Sequence, residues 1–140
     1  NGLREVSREC DIVVIHDGAR PFISQEHINK SIEYADTYGA ACVAVPVKDT
    51  IKTVNGEGFI DMTLKRSTLW AVQTPQTFRY SIIAKAHEKA QEEGFTGTDD
   101  ASLVERLGCR VKIVEGSYEN IKITTREDLI IAEAIARNYR

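Results

Sequence analysis

Two short apolar runs, Ile-Val-Val-Ile at 12–15 and Ala-Cys-Val-Ala-Val-Pro-Val at 41–47, bracket a segment of helical period, and that order constrains the chain more than anything else in it. A four-residue β-branched run reads as a strand covered on both faces, the pattern of a parallel sheet. Between the runs, Ser24 offers an N-cap with Glu26 just inside. Ile28, Ile32 and Ala35 then repeat at helical spacing up to Tyr38, where Gly39 supplies a stop. Strand, helix, strand predicts a right-handed βαβ unit, and the class is therefore α/β.

The next segment has a different period. Ile51, Thr53 and Phe59, Asp61, Thr63 alternate around Asn55-Gly56-Glu57-Gly58, whose glycines suit a hairpin turn with positive φ. This predicts a two-stranded arm over about residues 50–66. Half of it is polar, so it belongs outside the core, and an isolated hairpin is marginal in water unless it packs on something; a partner subunit is the natural support. Residues 68–78 read as strand or extended loop. Helices are expected over 79–93, with Ile82, Ile83, Ala86 and Ala90 on one face, and from a cap at Thr98 with Asp99 and Asp100 to a stop at Gly108. Another is expected over 126–139, with Leu129, Ile130, Ala132, Ile135 and Ala136 inward. Residues 110–116 form a third parallel-type strand, and 3–10 read as the tail of an amphipathic helix. Three core strands fall short of the usual sheet of about 5–6. The expectation is one incomplete domain, 1–140, whose sheet is completed by chain ahead of Asn1.

Composition narrows the partners. At 140 residues and 42% apolar the chain can bury one real core as a soluble globular domain. Lys and Arg number 18 against 21 Asp and Glu, and the net charge of −3 gives no electrostatic case for duplex nucleic acid or an anionic membrane. Any anionic ligand must meet a local cluster. Cys10, Cys42 and Cys109 are scattered and odd in number, which argues against a disulfide framework or a zinc site and favours a reducing cytoplasm. No apolar run approaches the roughly 20 residues of a membrane span, and no basic-then-apolar leader is present. His16, His27 and His87 are dispersed without metal spacing.

Ligands of open α/β sheets bind beyond the carboxyl ends of strands. That singles out Asp17 to Pro21, Lys48 to Lys52 and Gly116 to Lys122, joined by Thr74-Pro75-Gln76. Together they offer the carboxylate of Asp17, several hydroxyls and the cations Arg20, Lys48, Lys52 and Lys122, a set suited to phosphate. Each also has a plainer reading. Asp17 can cap its own turn, Thr98 can cap a helix, Trp70 can pack, and Arg20, Lys48, Lys52 and Arg66 can be ordinary surface charges. Lys122 differs, standing between Ile121 and Ile123 on the polar face of an extended segment.

Five blocks in this order, VVIHDGARPF, PVKDTIK, LWAVQTPQTF, GTDDASLVERLG and VEGSYENIKITTREDLIIAEAI, resemble the C-terminal two-thirds of the 2-C-methyl-D-erythritol 4-phosphate cytidylyltransferase family. The resemblance implies a Rossmann-like nucleotidyltransferase, with a parallel-rich sheet flanked by helices and a protruding β-hairpin arm. It also implies a reaction joining CTP to the phosphate of methylerythritol phosphate, with Mg2+ assisting, to give CDP-methylerythritol and pyrophosphate in non-mevalonate isoprenoid synthesis. By the same resemblance Asp17 and Arg20 contact the sugar phosphate and its hydroxyls, and Thr50, Thr74 and Thr98 bind substrate. Arg66 and Lys122 are the catalytic cations. The arm crosses to a partner subunit, making a homodimer in which Arg66 serves the neighbour's site. The family's Gly-rich triphosphate loop and cytosine-reading segment have no counterpart here, so an N-terminal nucleotide-binding half is expected to be missing and the 140 residues alone to lack useful turnover. Two rivals share the residues: a ribitol 5-phosphate cytidylyltransferase, and a non-catalytic sugar-phosphate-binding or dimerisation fragment.

Overall fold

Ser24 and Gly39 bound helix α1, Gln25–Tyr38, as their chemistry requires. The Ser24 hydroxyl accepts the N–H of His27, and Gly39 ends the helix in the left-handed region at φ 89° with its N–H on Ala35 O. A Cβ on Gly39 would also sit 2.6 Å from Ile82 Cδ1, so space and backbone both demand glycine. The structure is a computed structural model and describes residues 2–7 and 9–138. Around α1 run β1 (Ile12–Ile15), β2 (Ala40–Pro46), β3 (Lys52–Val54), β4 (Ile60–Thr63), β5 (Trp70–Arg79) and β6 (Lys112–Glu115). The remaining helices are α2 (Tyr80–Glu92), α3 (Asp100–Arg106) and α4 (Arg126–Arg137).

The main sheet has the order β1-β5-β2-β6. β5 is antiparallel to both β1 and β2, whereas β2 and β6 are parallel. β1, β2 and β6 therefore share one direction, and the expected strand-helix-strand unit is present with β5 inserted between its two strands. The sheet is α/β but mixed, a correction to the parallel-rich expectation. β1 is a correction too: among the described residues it pairs on one side only, and Val14 is 39% exposed.

β5 is the strand that sequence reading left as strand or loop, and its Pro75 explains why. Proline cannot donate to a ladder and is confined to edges and bulges. Here Cys42 pairs with Gln76 but Ala44 with Val72, so β2 advances two residues while β5 advances four. Gln73, Thr74 and Pro75 bulge out of the ladder at that point, which accommodates the proline and turns polar side chains toward the end of β1.

Helix α1 covers one face of the sheet, where Ala35 packs with Ala41, Val43 and Val114. α2 and α3 cover the other through Ile83, Ala86, Leu103 and Val104 on Phe78 and Ala40. A buried Ser31–Thr77 hydroxyl bond of 2.9 Å pins α1 to β5. Cys42 lies in this core, where burial first, and then Asp99 and Glu105, push its thiol up to about 12. It is a small core residue, not a nucleophile. Cys10, Cys42 and Cys109 are free thiols.

The arm forms as a separate two-stranded sheet, with Lys52 opposite Thr63 and Thr53 opposite Met62. Its turn is set by Asn55, whose Oδ1 accepts the N–H groups of Glu57 and Phe59, and by Gly58 at φ 86°. Gly56 does not take positive φ, unlike the sequence expectation for both glycines. Three helical expectations also change. Among the described residues of 3–10 the helical element is a short 3-10 turn, Gly2–Glu5. The cap of α3 is Asp99 and not Thr98, because the Asp99 carboxylate accepts Ser102 N and the Ser102 hydroxyl closes a capping box. α4 buries Ala132 alone, with Leu129 52% and Ile130 70% exposed, so its expected inward face is mostly open. The expected end of that helix at Tyr139 lies outside the described residues. Among those residues no helix is long and apolar enough to cross a membrane.

Candidate functional site

The chain leaves β1 at Ile15 opposite Gln76, so His16 and Asp17 arrive beside the bulge of β5. There the Thr74 hydroxyl accepts the backbone N–H of Asp17 at 3.0 Å and contacts His16 Nδ1 at 2.8 Å. His16 Nε2 lies 3.1 Å from Arg20 O, a carbonyl that can only accept. In the neutral ring the proton is therefore on Nε2, and Thr74 O–H donates to Nδ1. Thr74 thus fixes the entry of the loop and His16 its exit, bending 16–20 so that Asp17 and Arg20 face one another.

Asp17 Oδ2 is shared by two cations, Arg20 Nε at 3.1 Å and Lys122 Nζ at 3.2 Å. Arg20 is only 13% exposed and anchors its Nη1 on Asn120 O at 2.7 Å; Lys122 is 47% exposed and open to solvent. Among the described residues the carboxylate takes no backbone N–H, so the turn-capping reading of Asp17 gives way to that of an organiser of cations. Partial burial pushes its pKa up, but the hydrogen bonds and charges of Lys122 and Arg20 outweigh that and hold it below 3.8. One negative charge against two positive leaves the cluster net positive, with an exposed ammonium facing solvent. It can receive an anion of phosphate type.

The depressed pKa fixes a sign. A carboxyl that titrates lower in the folded state than in the unfolded one stabilises fully above the unfolded value and ceases to as pH falls through the folded one. The stability advantage of the protein over Asp17→Asn should therefore be full near pH 6 and shrink below about 3.8. Urea unfolding of both proteins across pH 2–6 measures it, and a constant difference would rule out the pairing. Comparison with the variant matters because Glu93 and Asp128 also titrate low, through Arg106 and through the backbone N–H groups of Thr124 and Thr125 respectively.

The third loop is tied down by amides. Asn120 Nδ2 donates to Gln73 Oε1 at 3.0 Å and Thr74 O at 2.9 Å, and Gln73 Nε2 donates to Ser117 O at 3.0 Å. Gly116 lies so close to β5 and β2 that a Cβ would meet Gln73 Oε1 at 2.8 Å and Val43 Cγ1 at 2.5 Å. Tyr118 O–H donates to Pro46 O at 2.7 Å, and Lys48 Nζ sits 3.5 Å from the centre of its ring.

Asp17, Arg20, Thr74 and Lys122 are thus brought together as expected. Arg66 and Thr50 are not joined to them within this chain: both are exposed at the root of the arm, where Arg66 Nη1 donates to Lys48 O at 2.9 Å. Thr98 is exposed one residue before the α3 cap and makes no hydrogen bond to a described residue. Gln76 meets that cap instead, donating to Asp99 Oδ2 and accepting Ala101 N–H, both at 2.9 Å. Sequence reading passed over Gln73, Asn120 and Tyr118. The available signal was a glutamine directly after the apolar Trp70-Ala71-Val72 run and an asparagine two residues before the singled-out lysine.

Among the described residues no group of three or more His, Cys, Asp or Glu could hold a metal ion, and Asp17 already balances two cations.

Mixed sheet, strand-end loops and paired cations over one acid define an α/β domain with a net positive cluster at its strand ends. The family model for IspD, 2-C-methyl-D-erythritol 4-phosphate cytidylyltransferase, matches residues 1–138, and the chain belongs to that family. It is 57% identical over 137 residues to the 2-C-methyl-D-erythritol 4-phosphate cytidylyltransferase of Caldanaerobacter subterraneus subsp. tengcongensis, covering 98% of this chain and 60% of the relative. To the protein of that name from Geobacillus kaustophilus it is 59% identical over 135 residues, covering 96% and 58%. Among solved structures, that of the Thermus thermophilus enzyme superposes with a TM-score of 0.86 at 39% identity, covering 96% of this chain and 65% of that one. The chain spans about three-fifths of the curated relatives' length, 60% and 58% in these two cases. These matches do not support the expectation that an N-terminal half is missing, and it is not carried forward.

Proposed function

We propose that the protein carrying this chain is a cytidylyltransferase that joins CTP to 2-C-methyl-D-erythritol 4-phosphate, releasing pyrophosphate, in non-mevalonate isoprenoid synthesis. The observation that carries the reading is the convergence of Arg20 and Lys122 on Asp17 at strand ends, in a chain of this family. A phosphate oxygen of the alditol attacks the α-phosphorus of CTP, the new P–O bond forms, and the bond to pyrophosphate breaks. The nucleophile is already ionised, so no general base is needed. What the reaction does need is two anionic groups held in line against their repulsion, which fixed cations supply. Lys122 and Arg20 hold the alditol phosphate. Asp17 keeps both cations in place and presents its other oxygen to hydroxyls, while Thr50, Thr74 and Thr98 add hydroxyl contacts.

Arg66 lies outside the cluster in its own chain, and the apolar surface of the arm, with Val54 61%, Phe59 67% and Ile60 62% exposed, wants a cover. Both facts support a homodimer in which the arm brings Arg66 to the neighbouring site. Mg2+ would enter with the triphosphate of CTP and supply charge neutralisation there, and it would need no dedicated protein cage. Three free thiols suit a reducing cytoplasm.

Pyrophosphate release by the full-length protein, assayed side by side with methylerythritol phosphate and ribitol 5-phosphate, tests the reading. Preference for the first is expected. Preference for ribitol phosphate would overturn the substrate, and no release with either would move a non-catalytic binding role ahead.

A further inference from the structure

Asn120 holds the only buried side-chain polar atom without a partner among the described residues, its Oδ1, on a side chain with no solvent exposure. An unpaired buried acceptor costs about 1–3 kcal/mol, so something else must keep an asparagine there. Its orientation is not arbitrary. Rotating the amide would turn Oδ1 onto Gln73 Oε1 and Thr74 O, two acceptors that its Nδ2 now serves. The donors run one way, Asn120 to Gln73 and Gln73 to Ser117 O, and lace the 116–122 loop to the bulge of β5 at two points.

This lacing lies between the two cations. The main-chain oxygen of Asn120 receives Arg20 Nη1, Lys122 is two residues further on, and Ile123 N–H closes onto Ala19 O at 2.8 Å. Shifting Asn120 therefore shifts both groups that meet at Asp17.

We propose that Asn120, working through Gln73, is a positioning residue for the phosphate-binding cations: it tolerates an orphaned oxygen in order to fix Arg20 and Lys122 against Asp17. Asn120 acts on substrate only through those residues. The inference rests on the functional reading above for its kinetic arm, and on geometry alone for its spectroscopic arm.

The test uses Asn120→Ala and Gln73→Met in the full-length protein, with Gln73→Met carrying the comparison if Asn120→Ala does not fold. A displacement of about 1 Å at reacting groups can cost about 100-fold, so kcat should fall by about 10- to 100-fold. KM for the alditol phosphate should rise while KM for CTP stays put. The double variant should be little worse than Asn120→Ala, because the two side chains act as a unit. Independently of any substrate, the carboxyl carbon resonance of Asp17, followed by NMR against pH, should titrate higher in either variant than in the parent. A drop in melting temperature with unchanged kcat and an unchanged Asp17 titration would overturn the proposal and leave a purely structural role. A raised Asp17 titration in a protein inactive on both alditol phosphates would uphold Asn120 as positioner and fail the substrate reading.

Discussion

Lys122→Ala in the full-length protein is expected to lower kcat by about 100- to 1,000-fold, the usual cost of deleting one preorganised group that stabilises transition-state charge. Its unfolding free energy should move by about 1 kcal/mol or less, because a half-exposed ion pair contributes little. The two expectations are separable because the Lys122 side chain is 47% exposed. Its structural work is one contact with Asp17 at 3.2 Å, and Arg20 keeps that carboxylate paired when it is gone. Steady-state kinetics and urea denaturation on the same preparation measure both. A loss of activity matched by a comparable loss of stability would make Lys122 a structural residue. Lys122→Arg should restore only part of the rate, since the wider, planar guanidinium keeps the charge but not the position.

The second large effect concerns Arg66, which donates to Lys48 O in its own chain and has no bond to the Asp17 cluster. If it serves a neighbour's site, Arg66→Ala and Lys122→Ala are each close to inactive alone. Mixing them then builds one intact site per mixed dimer, with Lys122 from one protomer and Arg66 from the other. Random one-to-one exchange makes half the dimers mixed, so about a quarter of the parental activity should return. Activity that stays at the level of the single variants after demonstrated subunit exchange would place Arg66 in its own chain's site or in none.

The elements that sequence reading located are those with local punctuation. α1 carries Ser24 and Gly39 at its ends, α4 begins at a Thr125 capping box, and the arm turns on Asn55 and Gly58. β5 lacked such signals. Its middle is Gln-Thr-Pro-Gln, which reads as a connection, and only the bulge against β2 and the Ser31 hydroxyl waiting for Thr77 make it a central strand. The outward face of α4 was misjudged for a related reason: periodicity shows that a helix has an apolar stripe but not what covers it. In the site, Asp17 and Arg20 were legible because they share a tight turn, and Lys122 because it breaks an apolar alternation. Its meeting with Asp17, and the Asn120–Gln73 link beneath, depend on tertiary geometry that no local pattern encodes. Thr98 shows the converse, a residue at a capping sequence whose neighbour turned out to be the cap.

The bond from Arg20 to Asn120 spans 100 residues of chain. Closing a loop of that length instead of a hairpin-sized one of about 12 adds about three doublings, roughly 2 kcal/mol of chain entropy, and nothing local repays it in advance. The anion cluster therefore depends on the whole β1-β5-β2-β6 order of the sheet, which brings the ends of β1 and β6 and the bulge of β5 together. Its integrity is in turn a readout of the whole topology. A substitution far away that loosens the β2–β6 seam lets Lys122 drift from Asp17 before the domain as a whole melts, so catalytic competence fails at a lower temperature than secondary structure does.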